Sequence, residues 1–161
     1  MATKTATKTT KRVAPSKTLE AQILKLLSGG PRPKVAALAT VNEEGAPAIR
    51  PMSLHADGLT LYSATMLDSR KVAHIRHNPN VALTTSADPS DLASPYVVIS
   101  ARAEILTDRR TRKARWSKHL EMYFDGLDDP NYCVLRYTPV TIEYWNDKGL
   151  QVLTPKKRAA R

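Results

Sequence analysis

The sequence predicts a mainly β protein: a small antiparallel β-barrel of about six strands carrying a few helices. Three features point there. Apolar and polar residues alternate in several short runs. Turn-forming Gly, Asn and Asp residues separate these runs, where a parallel sheet would need long crossovers. Helical spacing is confined to brief local segments, too few to cover both faces of an open α/β sheet.

The elements follow in order. Residues 19–27 set Leu19, Ile23, Leu26 and Leu27 at helical spacing, and Gly29-Gly30-Pro31 stops that helix. Residues 34–41 read as a strand with Val35, Ala37, Ala39 and Val41 on one face. Asn42-Glu43-Glu44-Gly45 is a hairpin connection to a strand over 46–54, and His55-Ala56-Asp57-Gly58 is the next turn, before a strand over 59–65. A helix from about Ser69 buries Val72 and Ile75 and ends near Asn78-Pro79, because a residue before proline is pushed out of helical geometry. Strands over 81–86 and 96–106 flank a Pro-, Ser- and Asp-rich loop over 87–95. Thr107 or Asp108 caps a second helix, in which Trp116, Leu120, Tyr123 and Phe124 share a face. A last strand over 132–145 is interrupted at Pro139.

Composition sets the domain plan. The formal charge of +10 on 161 residues suggests a nucleic-acid binder until it is mapped. Residues 1–18 and 148–161 contain Lys and Arg with no acid, whereas residues 19–147 balance 15 basic against 15 acidic side chains. The expected organisation is a basic disordered tail (1–18), one barrel domain (19–147) and a basic C-terminal tail (148–161). Such tails offer weak, nonspecific attraction to nucleic acid and lack the aromatic residues that stack on bases. Cys133 is the only cysteine, which excludes an internal disulfide and fits a reducing, cytoplasmic location. No apolar run is long enough to span a bilayer, so no membrane partner is expected.

Several positions bear chemistry. Ser69-Arg70-Lys71 opens a helix, where unpaired backbone N–H groups and the positive dipole end favour an anion such as phosphate; the plainer reading is a capped surface helix with two solvated cations. Arg50-Pro51-Met52 lies mid-strand. Proline there fits only an edge, a split or a bulge, and Arg50 either points to water or joins the inward row of Ala48, Met52 and Leu54. Trp116 and Trp145 are either core or an apolar wall for a flat aromatic ligand. His74 and His77 have no acid or thiol at ligand spacing and read as a solvated helix face, as does the basic run Arg109, Arg110, Arg112, Lys113 and Arg115. Asp128-Asp129, before Pro130-Asn131, reads as turn chemistry. No nucleophile elbow, P-loop or dinucleotide glycine fingerprint is present.

Five segments in order carry a resemblance: residues 39–47, Arg50-Pro51-Met52, Thr65 with Asp68-Ser69-Arg70-Lys71-Val72, residues 78–83, and Glu143-Tyr144-Trp145. Together they resemble the pyridoxamine 5′-phosphate oxidase-like flavoproteins, in their general stress protein branch. The resemblance implies a split β-barrel homodimer with FMN at the subunit interface and a small-molecule electron donor or acceptor. It implies that Arg50, Pro51 and Met52 lie along the isoalloxazine, that Thr65 contacts the flavin region, and that Ser69, Arg70 and Lys71 hold the phosphate. Trp145 would approach from the partner subunit, and Trp116 would contact the ring. Oxidases that act on pyridoxamine phosphate continue after the Glu-aromatic-Trp segment with an arginine and an Arg-x-His-x-Arg run. Here Asn146-Asp147-Lys148-Gly149-Leu150 follows, so oxidation of vitamin B6 is not expected. An FMN-dependent oxidoreductase role therefore stands beside a non-enzymatic flavin-binding stress module, and beside relatives that take a deazaflavin or haem.

Overall fold

Seven antiparallel strands, counted along the chain, lie in the sheet order 3-2-1-4-5-6-7, and the third also pairs with the sixth, which closes the first six into a barrel. The computed structural model describes residues 17–28, 34–85 and 94–155. Its elements are α1 (Lys17–Leu27), β1 (Lys34–Val41), β2 (Pro47–Asp57), β3 (Thr60–Met66), α2 (Arg70–His77), β4 (Asn80–Thr85), β5 (Tyr96–Leu106), α3 (Arg109–Arg115), a 3-10 turn (Lys118–Met122), β6 (Tyr132–Asn146) and β7 (Gly149–Leu153). Most of the expected N-terminal tail, the Gly29-Gly30-Pro31 stop and most of the 87–95 loop lie outside the described residues.

Turn chemistry starts the barrel. Asn42 Oδ1 accepts a hydrogen bond from Ala46 N at 2.7 Å, and Gly45 takes the positive φ of 81° that closes the β1–β2 hairpin. Inside, alternate residues fill the barrel: Ala36, Leu38 and Thr40 from β1 face Leu61, Ile99 and Leu135 from other strands. The row Val35, Ala37, Ala39, Val41 is consequently the outer face of β1, where Val35 is 60% exposed and Ile49 of β2 is 71% exposed. α1 buries Leu19, Ile23 and Leu27, and α2 buries Val72 and Ile75, each contributing to the one large apolar cluster.

Four boundaries differ from the sequence reading. β2 runs on to Asp57, so His55 and Ala56 are strand residues and the turn centres on Gly58. β6 is continuous through Pro139, because the pairing slips at that point: Ser100 faces Thr141 while Ala101 faces Pro139, and the bulge absorbs the missing donor. The expected second helix is broken at Trp116. Trp116 and Phe124 both pack on the Tyr132 ring, with centroids 5.3 and 4.9 Å away. On one helix, eight residues apart, they would stand about 12 Å apart along the axis and could not meet the same ring. Finally, the expected tails lose residues at both ends. Lys17 and Thr18 begin α1, and Gly149–Leu153 forms β7 on the edge of β6, with Gly149 at φ 103° making the reversal possible.

Leu153 is only 2% exposed, which a tail residue would not be. Replacing it with alanine should therefore lower unfolding stability by about 2–5 kcal/mol in denaturant titration. A change below about 0.5 kcal/mol would mean that β7 contributes nothing to the barrel.

Candidate functional site

The barrel is not uniformly closed. β3 pairs with β6 from Leu61 to Met66 but with β2 only at Thr60, Leu61 and Tyr62, opposite Asp57, Ala56 and His55. Beyond His55 the two strands part, and Pro51 falls in the parted stretch, where its missing N–H costs no ladder bond on that side. This accounts for a proline in the middle of a strand. A hydrogen bond from Ser63 Oγ to the Ser53 carbonyl, at 2.7 Å, spans the gap on the barrel side.

A cavity of about 840 Å³ opens along this divergence. One wall is β2 and β3: Pro51, Met52, Ser53 and His55 face Ala64, Thr65 and Met66, with Lys71 at one end. The opposite wall is Ser117, His119, Leu120, Tyr123 and Phe124. The lining contains no acid, and its size and mixture of apolar and sparse polar groups suit a planar organic ligand.

The second wall is held by the arginines that the sequence suggested were solvated. Arg115 pairs with Asp57 at 2.8 Å and lies 3.7 Å from the Tyr62 ring centroid, which pins the end of α3 to the β2–β3 hairpin. Arg112 donates to the carbonyls of Leu127 and Asp129 and stacks over Tyr132. Arg109 makes a two-point contact with Asp128. Asp129 has the turn role expected of it, accepting from the amides of Asp125 and Asn131. His55, exposed on the outer face of β2 and beside Arg115, has its pKa lowered, by partial desolvation first and by that guanidinium second.

At the Lys71 end the site turns cationic. Ser69 is the N-cap of α2 in extended geometry, yet its side chain caps nothing, and its Oγ is buried without a hydrogen-bond partner. The first turn of α2 contains no acid. Lys71 Nζ donates to Thr65 Oγ1 at 2.9 Å. Arg50 belongs to the inward row, its Nη1 donating to Thr40 Oγ1 at 2.6 Å and to the Leu38 carbonyl at 3.3 Å. Burial, then the charge of Arg70, lowers the pKa of Arg50; burial, then the charge of Arg50, lowers that of Lys71, against a weaker pull from Asp68. Among the described residues the ion pairs are Arg109–Asp128, Arg115–Asp57 and Arg136–Glu104, so no carboxylate pairs with Arg50, Arg70 or Lys71. Three cations crowded with no carboxylate in an ion pair, beside an unsatisfied hydroxyl and a helix N-terminus, form a site for an anion.

Pro51, Met52, Thr65 and Lys71 therefore line the cavity, while Arg50, Ser69 and Arg70 belong to the cationic cluster around Lys71. Trp116 does not line it; it packs edge-on behind Tyr132. Trp145 stands apart, stacked on Tyr96 at 6.1 Å with its Nε1 donating to Glu143, and reaches no part of its own chain's cavity. His74 is not solvated as expected: its Nδ1 lies 2.9 Å from Thr40 Oγ1. No cluster of potential metal ligands exists among the described residues. The wall residues His55, His119 and Tyr123 escaped the sequence reading. His55 was legible as the next outward position after Pro51 and Ser53, had the strand been carried to Asp57; His119 and Tyr123 depend on the helix break.

Known proteins match this architecture. Residues 19–146 fit the family described as Pyridoxamine 5′-phosphate oxidase. General stress protein 26 of Bacillus subtilis is 37% identical over 113 residues, covering 70% of this chain and 80% of that protein. A pyridoxine/pyridoxamine 5′-phosphate oxidase of Sphingopyxis alaskensis is 30% identical over 145 aligned positions, which take in 70% of this chain and 66% of that one. The crystal structure of general stress protein 26 from Bacillus anthracis superposes with a TM-score of 0.73 at 26% identity, over 85% of this chain and 98% of that one. With the match running from α1 to the end of β6 and the barrel shared along nearly the whole of a solved relative, this chain belongs to the pyridoxamine 5′-phosphate oxidase family.

Proposed function

We propose that the chain is an FMN-binding flavoprotein that works as an oxidoreductase, as a homodimer in the cytoplasm. One observation carries the reading: the buried, unpartnered Ser69 hydroxyl and the unpaired charges of Arg50, Arg70 and Lys71 gather at the end of an acid-free cavity that Lys71 lines. A phosphate dianion supplies both the missing acceptor and the missing charge. Ser69, Arg70 and Lys71 would hold that phosphate, while Pro51, Met52 and Thr65 would lie along the ring. Family membership supports the same cofactor. When bound, FMN supplies hydride or electron transfer, and the chain supplies position, a cationic surrounding and shelter from water.

Surface chemistry supports the dimer. Val35 and Ile49 are exposed on the outer face shared with Ala37 and Ala39, and Ala37 pairs with Pro51 at the cavity rim. A second copy seated there would cover apolar surface and help enclose the ring. Trp145, remote from its own cavity, is then free to reach the partner's. The substrate is not pyridoxamine phosphate, because the chain reverses into β7 after Trp145 with neither arginine nor histidine before Leu153.

Four measurements test this reading. In a flavin fluorescence titration, replacing Arg70 and Lys71 together by alanine should weaken FMN by roughly a hundredfold or more, since each charge-assisted contact is worth on the order of 1.5–3 kcal/mol. Riboflavin should bind the unmodified protein poorly and ignore the substitution; equal weakening of both ligands would remove the phosphate role. The absorbance of the loaded protein identifies the cofactor, a deazaflavin or haem spectrum refuting FMN. Light scattering should give twice the chain mass, and Ile49→Asp should halve it, whereas a cofactor-loaded monomer would refute the dimer. Aerobic turnover of pyridoxamine phosphate should be absent; rates above roughly 1 per second would overturn the substrate argument.

A further inference from the structure

Arg50 is held among like charges by neutral groups alone. Thr40, 1% exposed on β1, accepts from its Nη1 and also meets His74 Nδ1, on α2 one turn beyond Lys71. A threonine hydroxyl can accept from a guanidinium on one lone pair and give its own hydrogen to an imidazole nitrogen. The three side chains thus form a hydrogen-bonded link from β2, through β1, to the helix that presents Ser69, Arg70 and Lys71. An acid at position 40 would grip Arg50 more strongly, but it would cancel the charge that makes the cluster attractive to an anion.

We infer that Thr40 and His74 are positioning residues that fix the Arg50 guanidinium inside the cationic cluster, and through it set the preference for a phosphate-bearing ligand. The inference rests on the FMN reading for its functional half; the mechanical half, that Thr40 and His74 restrain Arg50, stands on the ligand-free protein. Freed from Thr40, Arg50 keeps only the longer bond to the Leu38 carbonyl, and repulsion from Arg70 and Lys71 drives it outward.

The test uses the full chain carrying Thr40→Val, which keeps the shape and removes the hydroxyl, with Thr40→Ser as the rescuing variant. His74→Leu and His74→Asn form the second pair, asparagine retaining an acceptor near the position of Nδ1. Thr40→Val and His74→Leu should weaken FMN by roughly tenfold and leave riboflavin within about twofold, and both rescuing variants should bind FMN nearly as the parent does. In the ligand-free proteins, heteronuclear NMR should find slow rotation of the Arg50 guanidinium in the parent and Thr40→Ser, and fast rotation in Thr40→Val. Unchanged FMN affinity in Thr40→Val, or equal loss of both flavins, overturns the selectivity role. If the parent itself does not prefer FMN to riboflavin, the cofactor reading and the selectivity role fall together. The NMR result then decides the restraint alone, and unchanged rotation in Thr40→Val overturns it.

Discussion

The structure depends on an unequal division of β3 between its two neighbours. From Leu61 to Met66 it is paired with β6, and only its first three residues, Thr60, Leu61 and Tyr62, are paired with β2. Backbone groups must be paired or wetted, so a strand that leaves its partner must give that edge to solvent or to a ligand. The parting of β2 from β3 opens the barrel wall at Pro51, and it does so next to the chain segment that leads into α2. The cavity and the anion site are thus two consequences of one topological choice: β3 closes the barrel with β6 and then delivers the chain to a helix start.

The second wall is a separate construction. Residues 109–131 have few apolar contacts with the main core and form their own small cluster around Phe124, Tyr132 and Val134. What fixes them is the set of guanidiniums that stack over Tyr62 and Tyr132 while their N–H groups find carbonyls and carboxylates. Exposed ion pairs contribute little alone. Arg115 is different because it is three-quarters shielded, bonded to Asp57 and stacked on Tyr62 at once. Positive charge in this segment thus acts as mortar between a loop and a barrel, leaving the charge of Arg50, Arg70 and Lys71 as the part offered to a ligand.

Much of this was legible in the chain. Strand alternation, the Asn42–Gly45 hairpin and the Ser69-Arg70-Lys71 helix start all rest on local chemistry, and local chemistry is what a sequence displays. The proline at 51 even announced a split. What the sequence concealed was decided across long separations. The break at Trp116 exists because Tyr132 offers one ring to two aromatic residues; the bulge at Pro139 depends on Ser100 and Ala101 of another strand; β7 forms because the edge of β6 is available to Leu150 and Leu153. For the same reason a run of arginines looked like a solvated helix face. Their partners Asp57, Tyr62 and Leu127 lie on other elements, and nothing in the run itself names them.

The cationic cluster has an energetic sign that follows from its composition. A lysine whose pKa is lowered on folding binds its proton less readily in the folded chain than in the unfolded one, so stability rises with pH between those two values. Lys71 is such a group, through burial and through Arg50. Below its lowered pKa, where Arg50, Arg70 and Lys71 are all charged, the crowding weighs on the fold in full; it is relieved only as Lys71 gives up its proton. An anion achieves the same relief without deprotonation, and it does so only by binding the folded state, which alone holds the three cations together. The repulsion and the buried idle hydroxyl of Ser69 are therefore two parts of one stored preference, and neither has a structural purpose that an uncharged, capped helix start would not serve better.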